Sequence, residues 1–501
     1  MTPSSPEIDH STAPGLRDAG DVKRVLVRKR IGLLTGVVLA VVVYFVLPAD
    51  LDQQARITAS IAALMASWWM TEAIPLAATA LIPLVLFPAL NVATVDDVAP
   101  PYANPIIFLF MGGFMLALAL QRWNLHRRIA LATVLLVGTK PKQLVGGFMI
   151  ATGFLSMWVS NTATAVMMIP IGLSVLSLVA NTEHAEKPPK NFGIALMLGI
   201  AYSASIGSLG TIIGTPPNAL MVGYLAENHD INIGFGEWML VGVPMAVVFM
   251  AITWFLLTHV LFKPEIEEIP GGRELIRDEF KKLGPMNTGE KLVLATFVLA
   301  AAAWITVPLL WPDTNIGNAV IAMAVAVVLF LVPADPNRGV PLLNWSSAKE
   351  LPWDILILFG GGLALSARFT ESGLSEWIGT QVSALGGLPL VLIIAAASAL
   401  VLMLTELTSN TATAATFLPL IGAVAVGLGY DPMLLVIPVA IAATCAFMLP
   451  VATPPNAIAY SSGHLEIAHM IKAGAGLNVI ALVLTTITTL TLAVWVFGLV
   501  Y

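Results

Sequence analysis

Long apolar stretches alternate with short polar ones along the chain, and the lengths of the stretches set the fold. Apolar runs cover 31–47, 57–90 with an interruption at 71–75, 105–120, 143–180, 192–226, 238–262, 292–310, 316–333, 354–369, 388–429, 433–460 and 475–500. About 20 apolar residues make one helix across the roughly 30 Å hydrocarbon core. The pattern therefore predicts an all-α polytopic membrane protein. Composition agrees, because 57% of the 501 residues are hydrophobic and only 11% charged, against about 45–50% and 25% in an ordinary soluble domain.

Residues 1–30 carry Pro3, Pro6 and Pro14 and end in Lys23, Arg24, Arg28, Lys29 and Arg30, which reads as a disordered cytosolic tail. The run 31–47 ends at Pro48 and Asp50 without a small-x-small cleavage site, so it is a first span and not a secretory signal. Cytoplasmic loops collect Lys and Arg. On that rule 121–128, 181–191, 263–291, 334–352 and 461–474 lie inside, whereas 91–104, 227–237 and 312–315, which contain neither residue, lie outside. The chain threads through these constraints when the runs 143–180 and 388–429 each enter and leave on one face. Both are then re-entrant hairpins, the first opening to the cytoplasm and the second to the exterior. Eleven full spans place the N-terminus inside and the C-terminus outside.

An internal repeat supports this threading. Ser160-Asn161-Thr162-Ala163-Thr164-Ala165 recurs unchanged as Ser409-Asn410-Thr411-Ala412-Thr413-Ala414, 249 positions on, and the same offset aligns Gly112-Gly113 with Gly361-Gly362 and Pro170 with Pro419. Thr215-Pro216-Pro217-Asn218-Ala219 recurs as Thr453-Pro454-Pro455-Asn456-Ala457, 238 positions on, the shortfall matching the loop 181–191. With the hairpins opening to opposite sides, the halves are inverted in topology, the architecture of secondary transporters with a midplane site. The organisation is a tail at 1–30, a first span plus first repeat at 31–262, a cytoplasmic linker at 263–291 and a second repeat at 292–501.

Each Ser-Asn-Thr falls where one short helix ends and another begins. Irregular backbone at membrane depth is tolerated only when buried in protein or lining a wet cavity. Its carbonyls suit Na⁺, and free N–H groups at a helix start suit an anion. The Asn amide serves a cation through its oxygen and a carboxylate through its NH₂. Two consecutive prolines cannot continue a helix, so 192–226 and 433–460 must unwind at the Thr-Pro-Pro-Asn stretches, with Gly207, Gly210 and Gly214 making the first break more pliable. A lone Ser-Asn-Thr reads as helix-packing glue and a lone Pro-Pro as a kink. Two ordered copies of each within inverted halves read as a binding site.

Other residues carry less. Glu406 has Met157 at its equivalent place and reads as either a site residue or a hydrogen-bonding support behind the site. Glu72, before Ile74-Pro75, reads as capping or interfacial, Arg368 as a snorkelling or paired charge, and Trp68-Trp69 as an interface anchor. The net charge of −6, with no basic block beyond the tail, argues against a nucleic-acid partner. The single Cys445 excludes a disulfide framework and any Cys-based metal centre, and none of the seven histidines stands in HExxH spacing.

The segment 156–162, with Ser156, Ser160, Asn161 and Thr162, the segment 405–411, with Thr405, Ser409, Asn410 and Thr411, and the two Thr-Pro-Pro-Asn loops resemble a known family, the divalent anion/sodium symporters. These include bacterial dicarboxylate carriers and animal sodium-coupled di- and tricarboxylate carriers. The resemblance covers nearly the whole chain from about residue 30. It implies an inverted-repeat fold of eleven spans with two hairpins, a homodimer in the plasma membrane, and elevator-type movement of a transport domain against a scaffold. It implies one Na⁺ site at Ser156, Ser160, Asn161, Gly214 and Thr215, and a second at Thr405, Thr408, Asn410, Ala452 and Pro454. It implies substrate carboxylates at Ser160, Asn161, Thr162, Thr215, Ser409, Asn410, Thr411 and Thr453. Na⁺ is the coupling ion, and no other cofactor is implied. The expected function is Na⁺-coupled import of C4-dicarboxylates such as succinate, malate and fumarate, and the alternative is a sodium-independent dicarboxylate exchanger. An intramembrane hydrolase needs a Ser/His, Ser/Lys or Asp/Asp pairing that the motifs lack, and an anion channel needs rings of Lys or Arg that the predicted core lacks.

Overall fold

The computed structural model describes residues 19–138, 140–180, 190–266, 268, 271–311, 314–335, 337–382 and 387–500. Helices dominate: α1 (Ala19–Val46), α2 (Gln53–Thr71), α3 (Pro105–Arg122), α4 (Leu125–Val137), α5 (Pro141–Ser156), α6 (Asn161–Ala180), α7 (Lys190–Ser208), α8 (Pro216–His229), α9 (Phe235–Phe255), α10 (Gly272–Lys282), α11 (Thr288–Leu310), α12 (Asn318–Leu331), α13 (Trp353–Glu371), α14 (Leu390–Thr405), α15 (Asn410–Gly427), α16 (Met433–Thr444), α17 (Pro454–Ser461) and α18 (Ile467–Thr488). Shorter helices fill several connections. The strands among the described residues are one small antiparallel pair, Pro333–Asp335 with Val340–Pro341. Nine helical segments among the described residues are long and apolar enough to cross a membrane.

The elements follow from the sequence locally. The chain breaks after α2 at Glu72, which closes the helix in the left-handed conformation with φ 49°, and Pro75 opens the next short helix. The predicted interruption at 71–75 is thus a helix cap. α1 starts at Ala19, well before residue 31, because the Val, Leu, Lys and Arg residues after Ala19 continue a helix without a proline. The predicted disordered tail is helical from there, and its residues 1–18 lie outside the described residues. α4, which follows the basic segment 121–128, is an element the apolar runs did not predict. Its apolar face, Leu125, Ala130, Leu131 and Val134, is buried.

The interior is formed by the two helices that precede the proline breaks. Every residue of α7 from Phe192 to Ser208 is buried, as is every residue of α16. By contrast α1 and α11 expose most of their apolar surface, the signature of lipid-facing spans. Trp69 is fully buried and donates to the Leu76 carbonyl at 3.1 Å, so it is a core residue and not the interface anchor the sequence suggested.

Polar contacts sort the loops into two groups. Arg122 donates to Ser347 at 3.1 Å, Arg127 pairs with Glu279 at 2.7 Å, Lys190 pairs with Glu466 at 3.0 Å, and Glu265 accepts from the Asn191 N–H at 2.7 Å. These residues come from the segments expected to share the basic face. On the acidic side, Asn104 donates to Glu227 at 2.8 Å and Thr370 to Asn228 at 3.0 Å. In the linker, the Lys282 ammonium beside Glu279, with Arg127 across from it, holds that carboxyl below the ordinary carboxylate range.

Candidate functional site

α5 ends at Ser156 and α6 starts at Asn161, and α14 ends at Thr405 and α15 starts at Asn410, so each Ser-Asn-Thr lies at a break between paired helices. α7 ends at Ser208 and α8 starts at Pro216, and α16 ends at Thr444 and α17 starts at Pro454. The prolines occupy the first two helical positions, where a missing N–H is no loss and the fixed φ suits a helix start. They therefore launch the second half of each broken helix, whereas the first halves already end eight and ten residues earlier, at Ser208 and Thr444.

The four breaks meet at one cavity of about 960 Å³. Ser160, Asn161, Thr162, Gly214, Thr215, Thr408, Ser409, Asn410, Thr411, Ala452, Thr453 and Pro454 all line it. Thr215 and Thr444 bring the two halves within 3.3 Å, hydroxyl to hydroxyl. Ser156 and Thr405, both fully buried, stand behind the cavity wall.

The two halves repeat their hydrogen bonds. The Ser156 hydroxyl lies 2.6 Å from Asn161 Oδ1 and 2.7 Å from the Ala204 carbonyl. The Thr405 hydroxyl lies 2.7 Å from Asn410 Oδ1 and 2.7 Å from the Ala443 carbonyl. A hydroxyl has a single proton to donate. In each half, three oxygens crowd together with one proton among them, which leaves a surplus of lone pairs suited to a hard cation. The amides are fixed from the other end, Asn161 Nδ2 donating to Ser208 Oγ at 3.3 Å and Asn410 Nδ2 to the Thr444 carbonyl at 3.5 Å. Behind them Asn218 Nδ2 ties the Leu209 and Thr211 carbonyls, and Asn456 Nδ2 ties those of Ala446 and Leu449, holding each unwound stretch in shape.

Electrostatics follow from the helix ends. Four N-termini, those of α6, α8, α15 and α17, border the cavity, each worth roughly half a positive charge. The C-terminal ends of α5, α7, α14 and α16 lie beside the oxygen clusters and favour cations. Pro-Pro removes the N–H groups at the start of α8 and α17, so direct N–H donors to an anion come mainly from the starts of α6 and α15. Gly207 and Gly214 act differently from the flexibility expected of them. A Cβ on Gly207 would collide with the backbone of Gly153, and one on Gly214 with the Ser208 carbonyl. Close backbone approach requires both glycines.

Sequence reasoning missed several contributors. The Ala204 and Ala443 carbonyls belong to alanines that carry no chemical signal; Ala443 sits in the last turn of its helix, where carbonyls lack helical partners, and Ala204 lies one residue before the last turn of its own. Arg28 of α1 lines the cavity beside Glu72, Glu350 and Asp354, a cation contributed by the expected tail. Arg368 is buried and paired with Glu371, as expected of a paired charge.

Comparison with known proteins places this architecture. The description "Sodium:sulfate symporter transmembrane region" matches residues 28–499. The sodium-dependent dicarboxylate transporter SdcS of Staphylococcus saprophyticus is 42% identical over 478 residues, covering 94% of this chain and 92% of that protein. Its namesake in Staphylococcus aureus strain USA300 is 42% identical over 463 residues, covering 91% and 89%. Among solved structures, the Alcanivorax borkumensis YdaH transporter shares the fold with TM-score 0.56 at 14% identity, covering 89% of this chain and 99% of that one. Neisseria gonorrhoeae MtrF does so with TM-score 0.56 at 14% identity, covering 95% and 96%. The family match and the relatives show that this chain is a membrane transporter and not an enzyme, and that it belongs to the divalent anion/sodium symporter family.

Proposed function

We propose that the protein imports C4-dicarboxylates such as succinate, malate and fumarate in symport with Na⁺, by elevator-type alternating access. The observation that carries the proposal is the pair of oxygen clusters, Ser156–Asn161–Ala204 and Thr405–Asn410–Ala443, flanking one cavity bordered by four helix N-termini. Two bound Na⁺ would neutralise a dianion seated between them. The sodium-dependent dicarboxylate transporters at 42% identity support both the ion and the substrate class.

In this reading Na⁺ is held at Ser156, Ser160, Asn161, Gly214 and Thr215 in the first half and at Thr405, Thr408, Asn410, Ala452 and Pro454 in the second, the Ala204 and Ala443 carbonyls joining the two sets. The substrate carboxylates meet Ser160, Asn161, Thr162 and Thr215 on one side and Ser409, Asn410, Thr411 and Thr453 on the other. The helix pairs at 143–180 and 388–429 act as re-entrant hairpins of a homodimer in the plasma membrane, with the N-terminus cytoplasmic and the C-terminus outside. The cavity borders Arg28 and Glu350, from segments assigned to the cytoplasm, so it opens inward.

The test is uptake of radiolabelled succinate into proteoliposomes, with an inward Na⁺ gradient and without, competed by malate, fumarate, citrate, glutamate and sulfate. Na⁺-driven uptake competed by malate and fumarate supports the proposal. Equal uptake without Na⁺, stimulated by internal dicarboxylate, would favour exchange.

A further inference from the structure

Among the described residues, the buried charged side chains are Arg128, Glu290, Arg368 and Glu406. Arg128 pairs with Glu290 at 3.1 Å, and Arg368 pairs with Glu371. Glu406 has no cationic partner; its neighbours are neutral donors. Oε1 accepts from the Phe447 N–H at 2.8 Å, the Met448 N–H at 3.0 Å and Asn478 Nδ2 at 2.8 Å. Oε2 accepts from the Met448 N–H at 3.1 Å and the Leu449 N–H at 3.3 Å. An unpaired charge at membrane depth is expensive and marks function by default.

The three N–H groups belong to the unwound stretch between α16 and α17. Leu449 passes the constraint onward, because its carbonyl accepts from the Ala452 N–H at 3.2 Å and from Asn456 Nδ2 at 3.1 Å. Ala452 and Thr453 then reach the cavity wall. Along the chain, Glu406 follows Thr405, whose hydroxyl belongs to the second oxygen cluster.

The first half has the same backbone without the charge. Met157 caps α5 with φ −64° and ψ −25°, and Glu406 caps α14 with φ −65° and ψ −27°. There Thr211 Oγ1 donates to the Met157 carbonyl at 2.5 Å, a neutral tie. The two oxygen clusters are therefore matched in geometry and unequal in charge.

We infer that Glu406 is a positioning residue that makes the second cation cluster the tighter one, so that it fills before the first. Left bare, the three N–H dipoles of 447–449 would turn their positive ends toward the hairpin tip beside that cluster. The carboxylate cancels them and adds negative charge next to Thr405, while fixing the loop that carries Ala452. The inference rests on the Na⁺-coupled reading given above.

The experiment is a Na⁺ titration of thermal midpoint on purified full-length protein without dicarboxylate, together with Na⁺-dependent succinate uptake in proteoliposomes. Glu406→Gln should raise the Na⁺ half-saturation by about tenfold or more, as loss of a charge-assisted partner does, with the succinate KM at saturating Na⁺ near the wild-type value. Glu406→Gln should also lose the stabilisation seen at low Na⁺, while Ser156→Ala keeps it. A residue that merely holds the fold would lower the midpoint equally at every Na⁺ concentration. Where Glu406→Gln does not fold, Glu406→Asp keeps the charge but withdraws it, and should raise the half-saturation severalfold. An unchanged Na⁺ profile in a folded variant overturns the inference, as does loss of the low-Na⁺ step in Ser156→Ala alone. A wild-type protein without any Na⁺ response overturns the symport reading and this inference together.

Discussion

Thr405→Val isolates a single hydroxyl at the proposed second Na⁺ site. Valine has nearly the same volume and the same β-branching, and Thr405 is fully buried at the end of α14, so the change removes the hydroxyl and leaves the shape of the side chain. What disappears is the Oγ1 that stands 2.7 Å from Asn410 Oδ1 and 2.7 Å from the Ala443 carbonyl. In the empty protein that hydroxyl satisfies one of the two acceptors, and its loss should lower stability by about 1 kcal/mol. In the ion-bound protein the loss is larger, because a methyl group replaces a ligand oxygen and the two remaining acceptors are left beside an under-coordinated ion. A buried polar group left unmatched costs about 1–3 kcal/mol, which, expressed in the Na⁺ affinity, is roughly a 5- to 150-fold rise in half-saturation. The assay is Na⁺-dependent uptake in proteoliposomes, paired with the Na⁺-induced shift of thermal midpoint. Thr405→Ser restores the oxygen and should return the half-saturation close to wild type. Thr416→Val is the control, since its hydroxyl donates only to Ala412 within its own helix at 2.8 Å. A folded Thr405→Val protein whose Na⁺ half-saturation stays within about twofold of wild type would refute the cation assignment.

Asn161→Ala and Asn410→Ala should each abolish transport while leaving a folded protein, because each amide is proposed to face both ion and carboxylate and a charge-facing hydrogen bond is worth about 1.5–3 kcal/mol; wild-type uptake in either variant sinks the site. Uptake at fixed total succinate should fall as pH drops through the substrate's second ionisation, since the proposed charge balance needs the dianion, and a rise across that range would indicate a monoanion or proton coupling. Arg128→Met should destabilise the fold by about 3–5 kcal/mol by leaving Glu290 buried without its partner, and Arg128→Met with Glu290→Leu should recover much of the loss in thermal midpoint. Paired cysteines on a Cys445→Ser background that join a hairpin to the spans before residue 105 or between 292 and 333 should stop uptake until reduced; full transport in the crosslinked state would eliminate an elevator.

How much of this was legible in the sequence depends on what each part is made of. The helix breaks and their pairing were readable because they are written twice in side chains that cannot do otherwise: Pro216-Pro217 and Pro454-Pro455 must interrupt a helix. Ser160-Asn161-Thr162 and Ser409-Asn410-Thr411 are too polar to span a membrane without purpose. The start of α1 at Ala19 and the helix α4 were not readable from apolar runs, because Lys and Arg continue a helix as well as Leu does, and a 13-residue amphipathic helix has no long run. Trp69 looked like Trp68 in sequence, and only the packing of α2 against its neighbours puts it fully inside.

The site itself divides along the same line. The hydroxyls and amides that line the candidate site were legible in the sequence; the Ala204 and Ala443 carbonyls that stand beside them were not, since any residue has one. What brings those carbonyls to the clusters is position near the end of a broken helix, eleven to twelve residues before the prolines that open its second half. The prolines also strip α8 and α17 of their first N–H donors while keeping the dipole of the helix start. In the proposed site the broken helices would thus offer a dianion a diffuse positive field with threonine hydroxyls, and the starts of α6 and α15 would offer it directed N–H groups. A field with few directed donors tolerates different spacings between two carboxylates better than a full set of amides would. On that argument, selectivity among dicarboxylates of different length resides in the rigid pair Asn161 and Asn410, each clamped from both ends, and substitutions at Thr215 or Thr453 should alter affinity more than preference.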